Sequence, residues 1–141
     1  MAQDKSIDDI IADFDVVDDW EERYRYLIDL GKKMPAMPEH LKTETTKVRG
    51  CASQVWIQAN PSTDRKSITF EGDSDALIVR GLIALLLIVY SGKSAEDILA
   101  IDAKLILSKL GLDSNLSQQR TNGLHAMVER IRADAKALLQ S

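Results

Sequence analysis

The sequence predicts an α+β domain of two layers, a small antiparallel sheet packed against several helices. Three observations carry that prediction. Two amphipathic helical segments open the chain, two alternating segments joined by turn residues follow, and helical segments fill the remainder, one of them apolar on every side. At 141 residues the chain fits one domain, residues 1–141, large enough to bury a core without disulfides or metals.

Each element has its own signal. Ser6 followed three residues later by Asp9 resembles a capping box with aspartate in the glutamate position, and Ile7, Ile10, Ile11 and Phe14 recur at helical spacing. The acidic residues of that first turn suit the positive end of the helix dipole. Asp19, three residues before Glu22, repeats the start signal. Trp20, Tyr24, Leu27 and Ile28 then form the stripe of a second helix that ends near Gly31 to Lys33. Met34 to Pro38 cannot continue a helix and begins a long connection, in which His40 reads as a solvated loop residue.

Val55, Ile57 and Ala59 face one way and Gln54, Trp56 and Gln58 the other, which is the period of a strand. Trp56 is expected to supply core packing. Asn60 to Asp64 is turn chemistry, after which Ile68 and Phe70 alternate with Ser67, Thr69 and Glu71 in a second strand antiparallel to the first. Residues 42–49, with Thr43, Thr45, Thr46 and Val48, favour a third, weaker strand.

Gly72, Asp73, Ser74 and Asp75 are expected to close the sheet and cap the next helix. From Ala76 to Tyr90 the one charge is Arg80. That segment is too short and interrupted to span a bilayer, which needs about 20 apolar residues. It reads as a central helix buried on all sides under the sheet. Ser94 caps a short helix, and Ala103 to Leu110 forms another, stopped by Gly111. The last helix runs from about Ser117 to Leu139, with Leu124, Met127, Val128, Ile131, Ala135 and Leu138 facing inward. Gly123 near its start permits close packing, and His125 lies off the stripe.

Totals and charge narrow the function classes. Hydrophobic residues make up 45% of the chain and charged residues 28%, ordinary values for a soluble globular protein. A net charge of −4 argues against general affinity for nucleic acid. The charge is uneven. Residues 1–22 hold nine acidic side chains, Asp4 and Asp18 among them, against one lysine, whereas residues 32–49 carry Lys32, Lys33, Lys42, Lys47 and Arg49 against Glu39 and Glu44. One cysteine allows no internal disulfide, and Met1 to Lys5 lacks the pattern of a signal peptide. A cytoplasmic location, with no membrane partner, is the expectation.

That single cysteine, Cys51, organises the reading of chemistry. It follows Gly50, which lets the backbone turn sharply or hinge, and it stands between Lys47 and Arg49 upstream and the first strand downstream. One reading is a small buried hydrophobe. The other is a working thiol, since the thiolate is the nucleophile and nearby cations lower the pKa that governs it. Several chemistries lack their residues: one Cys with two scattered His offers no zinc spacing, and an iron–sulfur cluster needs about four cysteines. No glycine-rich phosphate loop and no CxxC pair occurs. A cysteine hydrolase needs a histidine base, and nothing local orients His40 or His125 toward Cys51. What remains is single-site nucleophilic transfer or sensing.

Four blocks taken together resemble the SufE family of sulfur-acceptor proteins, which includes the related CsdE proteins. They are Trp20 to Gly31 (WEERYRYLIDLG), Val48 to Trp56 (VRGCASQVW), Gly72 to Ala84 (GDSDALIVRGLIA), and Arg120 to Leu124 (RTNGL) with Ala126 and Met127 following. Gln118 and Gln119 depart from the small-residue run usual before the last block. The resemblance implies the SufE/NifU-like form of the α+β fold. It implies that Cys51 takes sulfur from the persulfide of a partner cysteine desulfurase, SufS-type or CsdA-type. The chain would stimulate that enzyme and pass the sulfur to a SufBCD-type scaffold for iron–sulfur cluster assembly, or, in a CsdE-type branch, to another pathway.

In the family the pyridoxal phosphate belongs to the desulfurase, so no cofactor and no metal are expected here. The chain would be an accessory protein rather than an independent enzyme, as a monomer or a homodimer. Gly50 is then the hinge of the cysteine loop. Ser53, Asp73, Ser74 and Asp75 are candidate supports of that loop, the Asp73–Asp75 run through backbone hydrogen bonds, and Arg49 and Arg120 are candidate contacts to the thiolate or the partner. Two other readings stay open at this point: an independent cysteine enzyme such as a thiol hydrolase or peroxidase, and a non-catalytic adaptor.

Overall fold

A computed structural model describes residues 6–17 and 19–140. Met1 to Lys5, read above for a leader and including Asp4, lie outside the described residues, as does Asp18 of the acidic run. The architecture is α+β. Helices α1 (Ile7–Val16) and α2 (Trp20–Lys33) precede the antiparallel strands β1 (Val55–Pro61) and β2 (Ile68–Ser74), and α3 (Leu77–Tyr90), α4 (Ala95–Ala100), α5 (Ala103–Lys109) and α6 (Gln118–Gln140) follow. The strand register runs from Val55 opposite Ser74 to Pro61 opposite Ile68.

The start signals act as read. Ser6 accepts the Asp9 amide while Asp9 accepts the Ser6 amide, which completes the capping box of α1. Asp19 caps α2 through the Glu21 amide, and Ser94 and Asp102 cap α4 and α5.

Helix α3 is the centre of the core. Leu82, Ile83 and Leu85 are fully buried, packed with Leu27 of α2, Ile57 of β1 and Leu124 and Ile131 of α6 in one cluster. Each such side chain contributes about 1.5–3 kcal/mol by leaving water. The crossing of α2 and α3 is too close for side chains at its centre. A Cβ on Gly81 would stand 2.2 Å from the Leu27 carbonyl oxygen, so only glycine fits there. The lone charge of α3, Arg80, ties the layers together: it donates to the carbonyls of Gly31 (3.0 Å) and Met34 (2.9 Å) and pairs with the buried Asp73 carboxylate of β2.

Three expectations are corrected. Residues 42–49 form no third strand. A 3-10 turn occupies Glu39–Leu41, and the Thr43 and Thr46 hydroxyls bond each other's amides, leaving a single bridge between Lys47 and Trp56. Threonine hydroxyls here compete with the ladder rather than supporting it. The run from Gly72 to Asp75 does not cap α3. Gly72, Asp73 and Ser74 belong to β2, and α3 begins at Leu77 behind Ala76 with no side-chain cap. Trp56 is half-buried on the outer face of β1, with the Lys42 ammonium 5.1 Å from its ring centroid. Its neighbours Val55 and Ile57 take the core positions. Among the described residues no helix is long and apolar enough to cross a membrane.

Candidate functional site

The cysteine loop is a hairpin with a fixed stem and a loosely held tip. Residues 46–48 pair with 55–57: the Val48 amide donates to the Val55 carbonyl and the Ile57 amide to the Thr46 carbonyl, each at 2.8 Å. Residues 49–54 span the gap. Gly50 lies in the left-handed region at φ +90°, a conformation that L side chains rarely adopt, and the turn it makes aims Cys51 back at α6.

At the tip, the Cys51 thiol donates to the Gly123 carbonyl at 3.6 Å. A Cβ on Gly123 would lie 3.5 Å from Sγ, in ordinary contact, so the thiol rests directly against the helix surface at this position. Around it is a recess of about 270 Å³, walled by Ser53 from the loop, Val79 and Leu82 from α3, and Arg120 and Met127 from α6. The walls are apolar at depth and polar at the rim.

Burial pushes the half-buried Cys51 thiol up from its ordinary pKa. Tucked in, the sulfur is held protonated and a poor nucleophile. The flanking cations do not counter this. Arg49 is turned to Glu44 at 3.1 Å, with both side chains 79% exposed, a pair worth at most about 1 kcal/mol. Arg120 stands exposed at the lip of the recess. Neither histidine lines the recess: His40 is exposed in the 3-10 turn, and His125 lies in a separate cleft with Asp102 and Arg132.

The three residues after Gly72 divide the support between two segments. Asp75 alone bonds the cysteine loop, its carboxylate accepting the Gln54 amide at 3.0 Å. Asp73 instead organises the connection after α2, accepting the Met37 amide at 3.1 Å, pairing with Arg80 and lying 3.6 Å from Lys42. Burial alone would push the Asp73 carboxyl up, but the Met37 and Ser74 amides and the Arg80 guanidinium outweigh it and hold the group below the usual carboxylate range. Ser74 bonds the Ala76 amide locally. The expectation that all three bond the loop holds for Asp75 only.

Two parts of the site lie outside the sequence expectations. Val79 and Leu82, core residues of α3, also form a wall of the recess that holds the thiol. The second is Arg130. From α6 it reaches the carbonyls of Thr45 (2.8 Å), Lys47 (3.3 Å) and Ile57 (3.3 Å), all in or beside the loop stem. The signal was available: an arginine seven residues after Gly123 falls on the same helix face. Among the described residues no group of three or more His, Cys, Asp or Glu side chains is placed to hold a metal.

The family model described as SufE, Fe-S metabolism associated domain, matches residues 8–135. An uncharacterized SufE-like protein of Rhizobium etli is 56% identical over 133 residues, covering 93% of this chain and 90% of that protein. One from Rhizobium meliloti is 52% identical over 136 residues, covering 95% and 97%. The solution structure of a hypothetical protein from Thermus thermophilus superimposes with a TM-score of 0.76 at 21% identity, covering 96% of both chains, and shows the fold alone. With the family model spanning nearly the whole sequence and two relatives above half identity, the chain belongs to the SufE family.

Proposed function

We propose that this chain is a sulfur acceptor of iron–sulfur metabolism, taking sulfane sulfur onto Cys51 from the persulfide of a cysteine desulfurase and relaying it to a cluster-assembly scaffold. One observation carries the reading: the chain's one cysteine lies at the tip of a loop that turns at Gly50, over a recess with an apolar floor and a polar rim that no histidine lines.

The step is an exchange at sulfur. The Cys51 thiolate attacks the terminal sulfur of the donor's Cys–S–SH, a new S–S bond forms on Cys51, and the donor's S–S bond breaks with its cysteine leaving as thiolate. The proton lost by Cys51 is balanced by the one the departing thiolate gains, and no net oxidation occurs. The recess and the hinge answer opposite needs. A persulfide is easily oxidised, so a site that folds it against Gly123 and Met127 protects the cargo between transfers. The same burial suppresses the thiolate, so the loop must swing outward about Gly50 for attack. Arg120 at the lip then faces the incoming donor. In this role the chain accelerates its partner by clearing the persulfide and turns over nothing alone.

The test is intact mass after incubation with a cysteine desulfurase and L-cysteine, quenched by thiol alkylation. Added sulfur mapping to Cys51, with faster cysteine turnover, supports the proposal. Faster turnover without added sulfur makes the chain an adaptor. Neither effect overturns both readings and leaves the independent cysteine enzyme.

A further inference from the structure

One helix face holds the cysteine loop at two places with different strength. Gly123 and Arg130 are seven residues apart on α6, two turns along one side. At Gly123 the loop tip is held by one long thiol contact of 3.6 Å. At Arg130 the stem is held by guanidinium bonds to the carbonyls of Thr45, Lys47 and Ile57. Asp134, one turn further on, receives the Arg130 Nε–H at 3.2 Å and keeps the guanidinium aimed. The stem needs this. Among the described residues no further strand lies outside residues 45–47 to take the Thr45 and Lys47 carbonyls, and the stem's other anchors are the short ladder to β1 and the Thr43–Thr46 turn.

We propose that Arg130 is a positioning residue for sulfur acceptance: it clamps the stem of the cysteine loop, so that the swing of Cys51 is confined to residues 49–54 and the thiol is delivered along one path. The proposal rests on the reading of Cys51 as the sulfur acceptor. Arg130 touches no reacting atom and acts through the carbonyls of the stem. A looser stem would move with the tip, and the donor would meet a thiol in many orientations.

The experiment compares wild type with Arg130→Ala, Arg130→Lys and Asp134→Asn in three measurements. Hydrogen exchange at the Val48 and Ile57 amides and the alkylation rate of Cys51 by iodoacetamide need no partner. The third is sulfur uptake from a cysteine desulfurase as a function of acceptor concentration. Losing hydrogen bonds from a charged donor should raise stem exchange about tenfold or more in Arg130→Ala. Cys51 alkylation should rise with it. The half-saturating acceptor concentration should rise several-fold, more than the saturating rate falls, and Arg130→Lys should recover part of each effect.

Raised exchange with unchanged uptake kinetics would overturn the positioning role. So would unchanged stem exchange in a variant whose melting temperature falls, since Arg130 would then serve the helix alone. A wild-type chain that takes no sulfur would overturn the proposal together with the reading of function, while the exchange and alkylation results would still show whether the clamp exists. Should Arg130→Ala fail to fold, Arg130→Lys and Asp134→Asn decide by the same outcomes.

Discussion

Asp75 and Gln54 are joined twice. The Asp75 carboxylate accepts the Gln54 amide at 3.0 Å, and the Asp75 amide donates to the Gln54 carbonyl at 3.4 Å. This exposed pair closes the downstream end of the cysteine loop onto the turn between β2 and α3. It is a latch that water can compete for, which suits a loop meant to open.

Replacing Asp75 with alanine removes the stronger of the two bonds. The expected cost in stability is about 1 kcal/mol. The expected effect on Cys51 is larger in kind than in energy: iodoacetamide should reach the thiol several-fold faster while the melting temperature falls by only a few degrees. Alkylation and sulfur uptake both equal to wild type would remove Asp75 from the mechanism.

The ionisation of Cys51 should report the position of the loop. Burial raises the folded thiol's pKa, so the thiolate is scarce in the tucked state at pH values where a free cysteine, with its pKa of about 8.5, is already part ionised. Alkylation rate against pH should therefore titrate above that value in the wild type. In Asp75→Ala the midpoint should move down toward it, because the exposed thiol regains its solvation. A wild-type midpoint at or below that of free cysteine would mean that the thiol does not rest in the recess.

Gly123 can be tested by size. An alanine Cβ at 3.5 Å from Sγ is in ordinary contact, and alanine in a helix interior is favoured over glycine by about 0.5–1 kcal/mol, so Gly123→Ala should be stable and keep its thiol tucked. Valine adds two methyl groups where the sulfur lies. Gly123→Val should expel Cys51, with alkylation several-fold faster than in Gly123→Ala. Equal rates in the two variants would show that the recess does not hold the thiol.

Much of this was legible in the chain, and the part that was not has a common cause. Periodicity placed the helices and both strands because those signals are local: Ile7 to Phe14 and Leu124 to Leu138 each repeat on one face. Cys51 stood out by its glycine and its solitude. The threonines of residues 43–46 misled, since strand propensity does not say whether a hydroxyl will bond its own turn instead. Asp73 and Asp75 looked alike as helix caps, yet one serves Arg80 and Met37 and the other Gln54. Arg130 is 73 to 85 residues from the carbonyls it binds. A polar side chain that works across such distances leaves no pattern at short range.

Asp73 gives the fold an acid signature. Its folded carboxyl titrates below the ordinary range, held down by the Met37 and Ser74 amides and Arg80 against the cost of burial. A depressed carboxyl stabilises the fold above its unfolded pKa, about 3.9, and loses that contribution as pH falls through the lower folded value. Asp73→Asn should thus cost roughly 3 kcal/mol near neutrality, because the part-buried Arg80 is left without its counter-charge. The difference from wild type should shrink below about pH 4, as protonation of Asp73 in the parent removes the same charge. Urea unfolding of both proteins from pH 7 down to pH 3 reads this directly. A gap that stays constant over that range would show that the Asp73 charge is not what joins β2 to α3 and the connection after α2.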